Sequence, residues 1–148
     1  MRSIPFRPMQ SIRVFIAYPA DTSRTDALFA LAGFANELGI DGFTVTSATG
    51  AYRDDRGELE VEHALVFEFV GPYVLDSAFV TPSEREKVLR FVARVQEFAN
   101  RARIALKQSS VLVIGQPCAG VFLDSSFERE RQRIVGEDSS CGVEPCEE

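Results

Sequence analysis

Hydrophobic and polar residues alternate with a period of two over residues 11–18. Ile12, Val14, Ile16 and Tyr18 face one way, and Arg13, Phe15 and Ala17 the other, which predicts a β-strand. The odd-numbered side is also partly apolar, the mark of a central strand, and Pro19 ends the segment. The period then lengthens. Leu28, Leu31, Ala35 and Leu38 recur at helical spacing behind the cap residues Asp21, Thr22 and Ser23. Gly39 follows where a helix wants a glycine, so residues 25–38 are predicted as a first helix.

Period two returns twice. Residues 42–51 are rich in β-branched and aromatic side chains, and residues 59–70 place Leu59, Val61, Leu65, Phe67 and Phe69 on one face. Glu60, Glu62 and Glu68 fall on the other face with Ala64, Val66 and Val70. Arg53-Asp54-Asp55-Arg56-Gly57 lies between the two runs as a polar turn, so a β-hairpin is predicted, and Gly71-Pro72 is read as its stop. Thr81-Pro82-Ser83-Glu84 is a capping-box signature with proline at the first helical position. Val88, Val92, Val95, Ala99, Ala102 and Leu106 continue it as an apolar stripe. A helix over residues 82–107 would be about 39 Å long, enough to overhang the sheet or to kink near Asn100. Residues 109–114 read as a near-continuous apolar strand. Gly115-Gln116-Pro117 reads as a turn, residues 119–123 as a short fifth strand, and the segment from Ser125 or Ser126 to Ile134 as a last helical turn.

The order strand, helix, strand, strand, helix, strand predicts an α+β fold of the βαββαβ type. Two helices would cover one face of a four-stranded antiparallel sheet of strand order 4-1-3-2. Residues 1–10 are expected as an arm, 11–135 as a single domain and 136–148 as an acidic tail. Apolar residues on both sides of strands 1 and 3 leave a second sheet face to be covered. Burial is worth roughly 25 cal/mol per Å², which favours a homodimer formed through that face.

Composition narrows the function classes. The chain of 148 residues is 45% apolar and 26% charged, as ordinary globular domains are, with 12 phenylalanines and no tryptophan. A net charge of −6 lacks the footprint of a nucleic-acid binder. No apolar run approaches the ~18 residues that span a bilayer, and no signal peptide follows the basic N-terminus, so no membrane association and a cytoplasmic location are expected. Cys118, Cys141 and Cys146 are an odd number, expected as free thiols rather than a disulfide framework.

Three stretches together resemble a known pattern: Gly42-Phe43-Thr44-Val45 with Ala48-Thr49-Gly50-Ala51-Tyr52-Arg53-Asp54, then Gly57 with Glu62, then Gln108-Ser109-Ser110-Val111-Leu112. They are similar to an uncharacterised family of small bacterial and phage-borne proteins with a ferredoxin-like fold, some described as lipoproteins. The resemblance covers roughly residues 12–114. It implies the fold and almost nothing about function, since the family has no assigned role. This chain departs from the pattern in lacking a lipobox cysteine, in the loop over residues 71–80 and in the segment after Ile114.

The candidate chemistry is sparse. His63 is the single histidine, a possible base or ligand by residue type, and equally at home at a sheet surface. Asp54, Asp55, Glu60, Glu62 and Glu68 gather carboxylates near one turn and one strand face, a set that could hold a hard cation or lie solvated. Glu62 could also pair with Arg53 across the hairpin. Cys141 and Cys146 have loose zinc spacing without a second ligand pair, so no metal site is expected. Lys87, Arg90, Arg94 and Arg101 share one side of the second helix, where they could contact phosphates or be balanced by Glu84, Glu86 and Glu97. No phosphate loop, dinucleotide fingerprint or other cofactor motif occurs, and no cofactor is expected.

The sequence therefore points to a non-enzymatic, oligomerising binding module for a protein or small ligand, of phage or mobile-element type. Its expected binding set is Tyr52, Arg53, Asp54, Asp55, Glu62, His63 and Gln108. Two alternatives stand beside it: a metal-dependent hydrolase or nuclease using the hairpin carboxylates, and a nucleic-acid or nucleotide binder using the second-helix arginines.

Overall fold

The computed structural model describes residues 7–74 and 80–120. Its element order is β1 (Arg7–Ala17), α1 (Arg24–Glu37), β2 (Thr44–Arg53), β3 (Leu59–Pro72), α2 (Pro82–Ala105) and β4 (Leu112–Gly120). The strands form one sheet in the order β2-β3-β1-β4, antiparallel where β3 meets β1 and β2. Residues Pro8–Cys118 form one compact unit that holds both helices and nearly all of the sheet. The predicted fifth strand beyond Gly120, the last helical turn, the acidic tail, Cys141 and Cys146 lie outside the described residues. Among those described, no helix is long and apolar enough to cross a membrane.

The alternation read from sequence sorts the two sheet faces. Ile12, Val14 and Ile16 of β1 lie opposite Phe69, Phe67 and Leu65 of β3, and all six are buried. Ala27, Leu31 and Ala35 of α1 and Val95, Phe98, Ala99 and Ala102 of α2 close over them. Phe67 and Phe69 meet Phe98 with ring centroids 5.1 and 4.9 Å apart, and Phe43 reaches Phe67 at 5.3 Å. Phenyl rings thus supply the bulk that tryptophan would otherwise provide.

The local signals hold at the helix starts. The Ser23 hydroxyl accepts from the Asp26 amide at 3.0 Å, and Thr81 and Glu84 form the reciprocal capping box. α2 runs uninterrupted through Asn100.

Three of the boundaries that differ from the expected ones do so for a tertiary reason; β2, expected over 42–51, and the start of β4, expected at 109, are displaced as well, to Thr44–Arg53 and Leu112. β1 begins at Arg7 rather than residue 11, because β3 is long enough to pair Met9 with Pro72 and Gln10 with Gly71. The Gln10 side-chain amide also donates to the Pro72 carbonyl at 2.9 Å. β3 does not stop before Gly71: the Phe91 ring of α2 rests on that position, where a Cβ would lie 2.5 Å from ring carbon, so the missing side chain admits the helix. β4 passes straight through Gly115-Gln116-Pro117, because it is an edge strand, the place in a sheet where proline is tolerated.

The opposite, rear face of the sheet carries no helix among the described residues. Its rows across β1, β3 and β2 run Met9–Pro72, then Val70–Ser11, then Arg13–Glu68–Thr44, then Phe15–Val66–Thr46, then Ala17–Ala64–Ala48, then Glu62–Gly50, and finally Glu60–Tyr52, with Met9 and Val66 buried. It is less apolar than the sequence suggests, because β2 brings threonines to it and an ion pair crosses its middle.

Candidate functional site on the hairpin

β2 and β3 pair from Thr44↔Glu68 out to Arg53↔Leu59, but β1 stops at Ala17↔Ala64. The outer five pairs therefore project as a two-stranded ribbon, roughly 17 Å long at the usual strand rise. The ribbon closes on a built turn. The Asp54 amide donates to the Glu58 carbonyl, and the Gly57 amide to the Asp54 carbonyl, each at 2.9 Å. The Asp54 carboxylate accepts from the Arg56 and Glu58 amides at 2.8 and 2.9 Å. Gly57 has φ +79°, a backbone state that favours glycine, and the Arg53 guanidinium donates to its carbonyl at 2.8 Å.

That turn separates the expected site residues. Tyr52 and Glu62 stand on the rear face, while Arg53 and His63 stand on the face where the helices pack further in. The Glu62–Arg53 pair does not form: Glu62 lies opposite Gly50, whose missing side chain leaves the Glu62 chain packed across it. Asp54 is taken up by turn amides, and Asp55 is exposed at the tip. His63 is exposed, with its ring stacked on Tyr18 at 6.4 Å. Gln108 serves the end of α2: its amide donates to the Arg103 carbonyl at 2.8 Å and its side chain to the Leu106 carbonyl at 3.1 Å. Lys107 takes the left-handed conformation between them.

The cluster that does assemble is Tyr52, Glu60 and Glu62. The Tyr52 hydroxyl donates to the Glu60 carboxylate at 2.7 Å. That bond and the charge of Glu60, with Glu62 and Asp54 nearby, raise the phenol pKa above its ordinary value, so Tyr52 stays a neutral donor. Glu60 is absent from the expected binding set. Counting outward from the turn would have found it, since five loop residues put Tyr52 opposite Glu60.

The two alternative sites fare differently from the sequence reading. Among the described residues, no three of His, Cys, Asp and Glu come together as a metal-holding group. On α2, Arg90 pairs with Glu86, and Arg101 bridges Glu97 at 3.0 Å and Glu37 at 3.1 Å. Lys87 and Arg94 have no ion-pair partner among the described residues. Half of the arginine stripe is thus balanced locally.

The fold is of the ferredoxin-like class, an antiparallel sheet with two helices packed on one face. A phage SAM lyase in complex with S-methyl-5'-thioadenosine is similar to this chain at 17% identity and a TM-score of 0.55, covering 82% of this chain and 96% of its own. Its apo state matches at 17% identity and 0.54, over 84% and 95%. CutA from Archaeoglobus fulgidus, a periplasmic divalent cation tolerance protein, matches at 8% identity and 0.47, over 81% and 92%. No protein-family profile and no curated protein matches the sequence, so the uncharacterised family of the motif resemblance gains no support beyond its fold.

Proposed function

We propose that this protein is a small cytoplasmic binding module that assembles through the rear face of its sheet. It takes at the ribbon a cationic, adenosine-bearing ligand of the S-adenosylmethionine class. The observation that carries this is the Tyr52–Glu60–Glu62 cluster, which stands on the same face that the described helices leave open. Two carboxylates attract a sulfonium or ammonium and accept from ribose hydroxyls, and the tyrosine ring offers a surface to a cation or a purine. A ribbon alone is not concave, and small-ligand sites are. A second copy on the rear face supplies the missing wall. The ligand class is taken from the phage SAM lyase of the same fold, whose solved complex holds S-methyl-5'-thioadenosine. That parallel also supports the phage-type origin suggested by the motif resemblance.

Isothermal titration of the full chain with S-adenosylmethionine and S-methyl-5'-thioadenosine tests the proposal. Saturable binding is expected, weakened at least about tenfold by Glu62→Gln, the loss of one charge-assisted contact, and unchanged by Asp55→Asn. Absence of binding to either compound at millimolar concentration overturns it.

A further inference from the structure

The middle of the rear face holds a half-used ion pair. Arg13 Nε donates to Glu68 Oε2 at 3.0 Å, and the Ser11 hydroxyl donates to the same oxygen at 2.9 Å. Glu68 Oε1 and the two terminal amino groups of Arg13 have no partner among the described residues. The pair is half-exposed, with side-chain exposures of 49% and 36%. Its neighbours on this face are uncharged: Phe15 and Val66 in the next row inward, Val70 and Ser11 in the next row outward, and Thr44 alongside. One cation and one anion, set side by side among uncharged neighbours and away from Glu60 and Glu62 on the outer ribbon, form a self-complementary pattern. A two-fold axis through such a face places each cation opposite the other copy's anion. The unused fork of an arginine and the unused oxygen of a carboxylate are the groups that make a bidentate contact.

We propose that Arg13 and Glu68 form the orienting contact of a two-fold interface between copies of this chain, Arg13 of one copy bonding the partner's Glu68 and the reverse. The inference rests on the rear-face assembly proposed above and adds what sets its geometry. The small row Ala17–Ala64–Ala48 lets two sheets approach, but it offers little to fix an angle. The charge pair supplies that direction, as polar groups do in other apolar seams.

Sedimentation velocity and native mass spectrometry of four proteins test it: the wild type, Arg13→Glu, Glu68→Arg, and the double exchange. Each single variant puts like charges across the seam, and its self-assembly is expected to weaken at least tenfold while its circular dichroism stays native. An equimolar mixture of the two single variants is expected to regain assembly as a mixed dimer. The double exchange is expected to self-assemble like the wild type. Recovery in the double exchange but not in the mixture would show that the pair acts only within one chain, and would overturn the inference. Single variants that assemble like the wild type would overturn it as well. A wild-type chain that is monomeric at high concentration would instead remove the rear-face assembly itself.

Discussion

β2 and β3 run through two regions of unlike character. In the inner half, Leu65, Phe67 and Phe69 are completely buried beneath the helices, and every large side chain on that face has ring or aliphatic neighbours. In the outer half the same alternation continues with Leu59 and Val61, yet these are 62% and 63% exposed. The strands, their pairing and their parity are continuous, and only the third strand and the helical layer end. Identical local rules therefore yield a core in one half and an open ribbon in the other. Stability is concentrated where β1 and α2 overlap β3. The ribbon, relieved of packing duty, can gather Tyr52, Glu60 and Glu62 for recognition.

The sharpest way to break this comparison is to truncate equivalent positions. Phe67→Ala is expected to lower the unfolding free energy by about 3–5 kcal/mol. Val61→Ala, on the same strand and the same face, should stay within about 0.5 kcal/mol. Urea denaturation of the two variants checks this, and equal losses would mean that the ribbon is as packed as the core.

A smaller effect tests how tightly α2 defines the inner half. Gly71→Ala places a methyl group against the Phe91 ring and should cost about 1–3 kcal/mol by overpacking. Part of that loss should return when Phe91→Leu is added, since the two positions touch and their effects couple. Strict additivity in thermal melts would show that the close approach is not what matters at Gly71.

The smallest effect belongs to the ribbon. The Tyr52 phenol has its pKa raised, first by the hydrogen bond to Glu60 and then by the charges around it. A raised folded-state value makes the contact fully present below the ordinary tyrosine pKa of 10.0 and loses it as pH climbs through the higher folded value. Ultraviolet titration should show a late-ionising phenol, absent in Tyr52→Phe and shifted back toward 10.0 in Glu60→Gln.

Much of the fold could be read from the chain. The period-two runs, the Thr81-Pro82-Ser83-Glu84 cap and the Asp54–Gly57 turn name their elements because each depends on residues a few positions apart. The candidate site was half legible. Tyr52 and Glu62 were recognisable by motif. Glu60 needed the hairpin register, and the separation of His63 and Arg53 from Glu62 follows from strand parity applied across two strands at once. Gln108 stands apart from the hairpin, because its hydrogen bonds belong to the end of α2, a placement its neighbours in sequence do not reveal.

By itself, the sequence determined the element types, their order and which side chains share a face, because backbone propensity, capping and alternation are short-range. Tertiary structure alone decided where β1 begins, why β3 runs on past Gly71, how β4 tolerates Pro117 and which stretch of the hairpin lacks a roof. Those outcomes depend on the lengths of neighbouring strands and on the seat of Phe91, which are contacts between residues far apart in the chain.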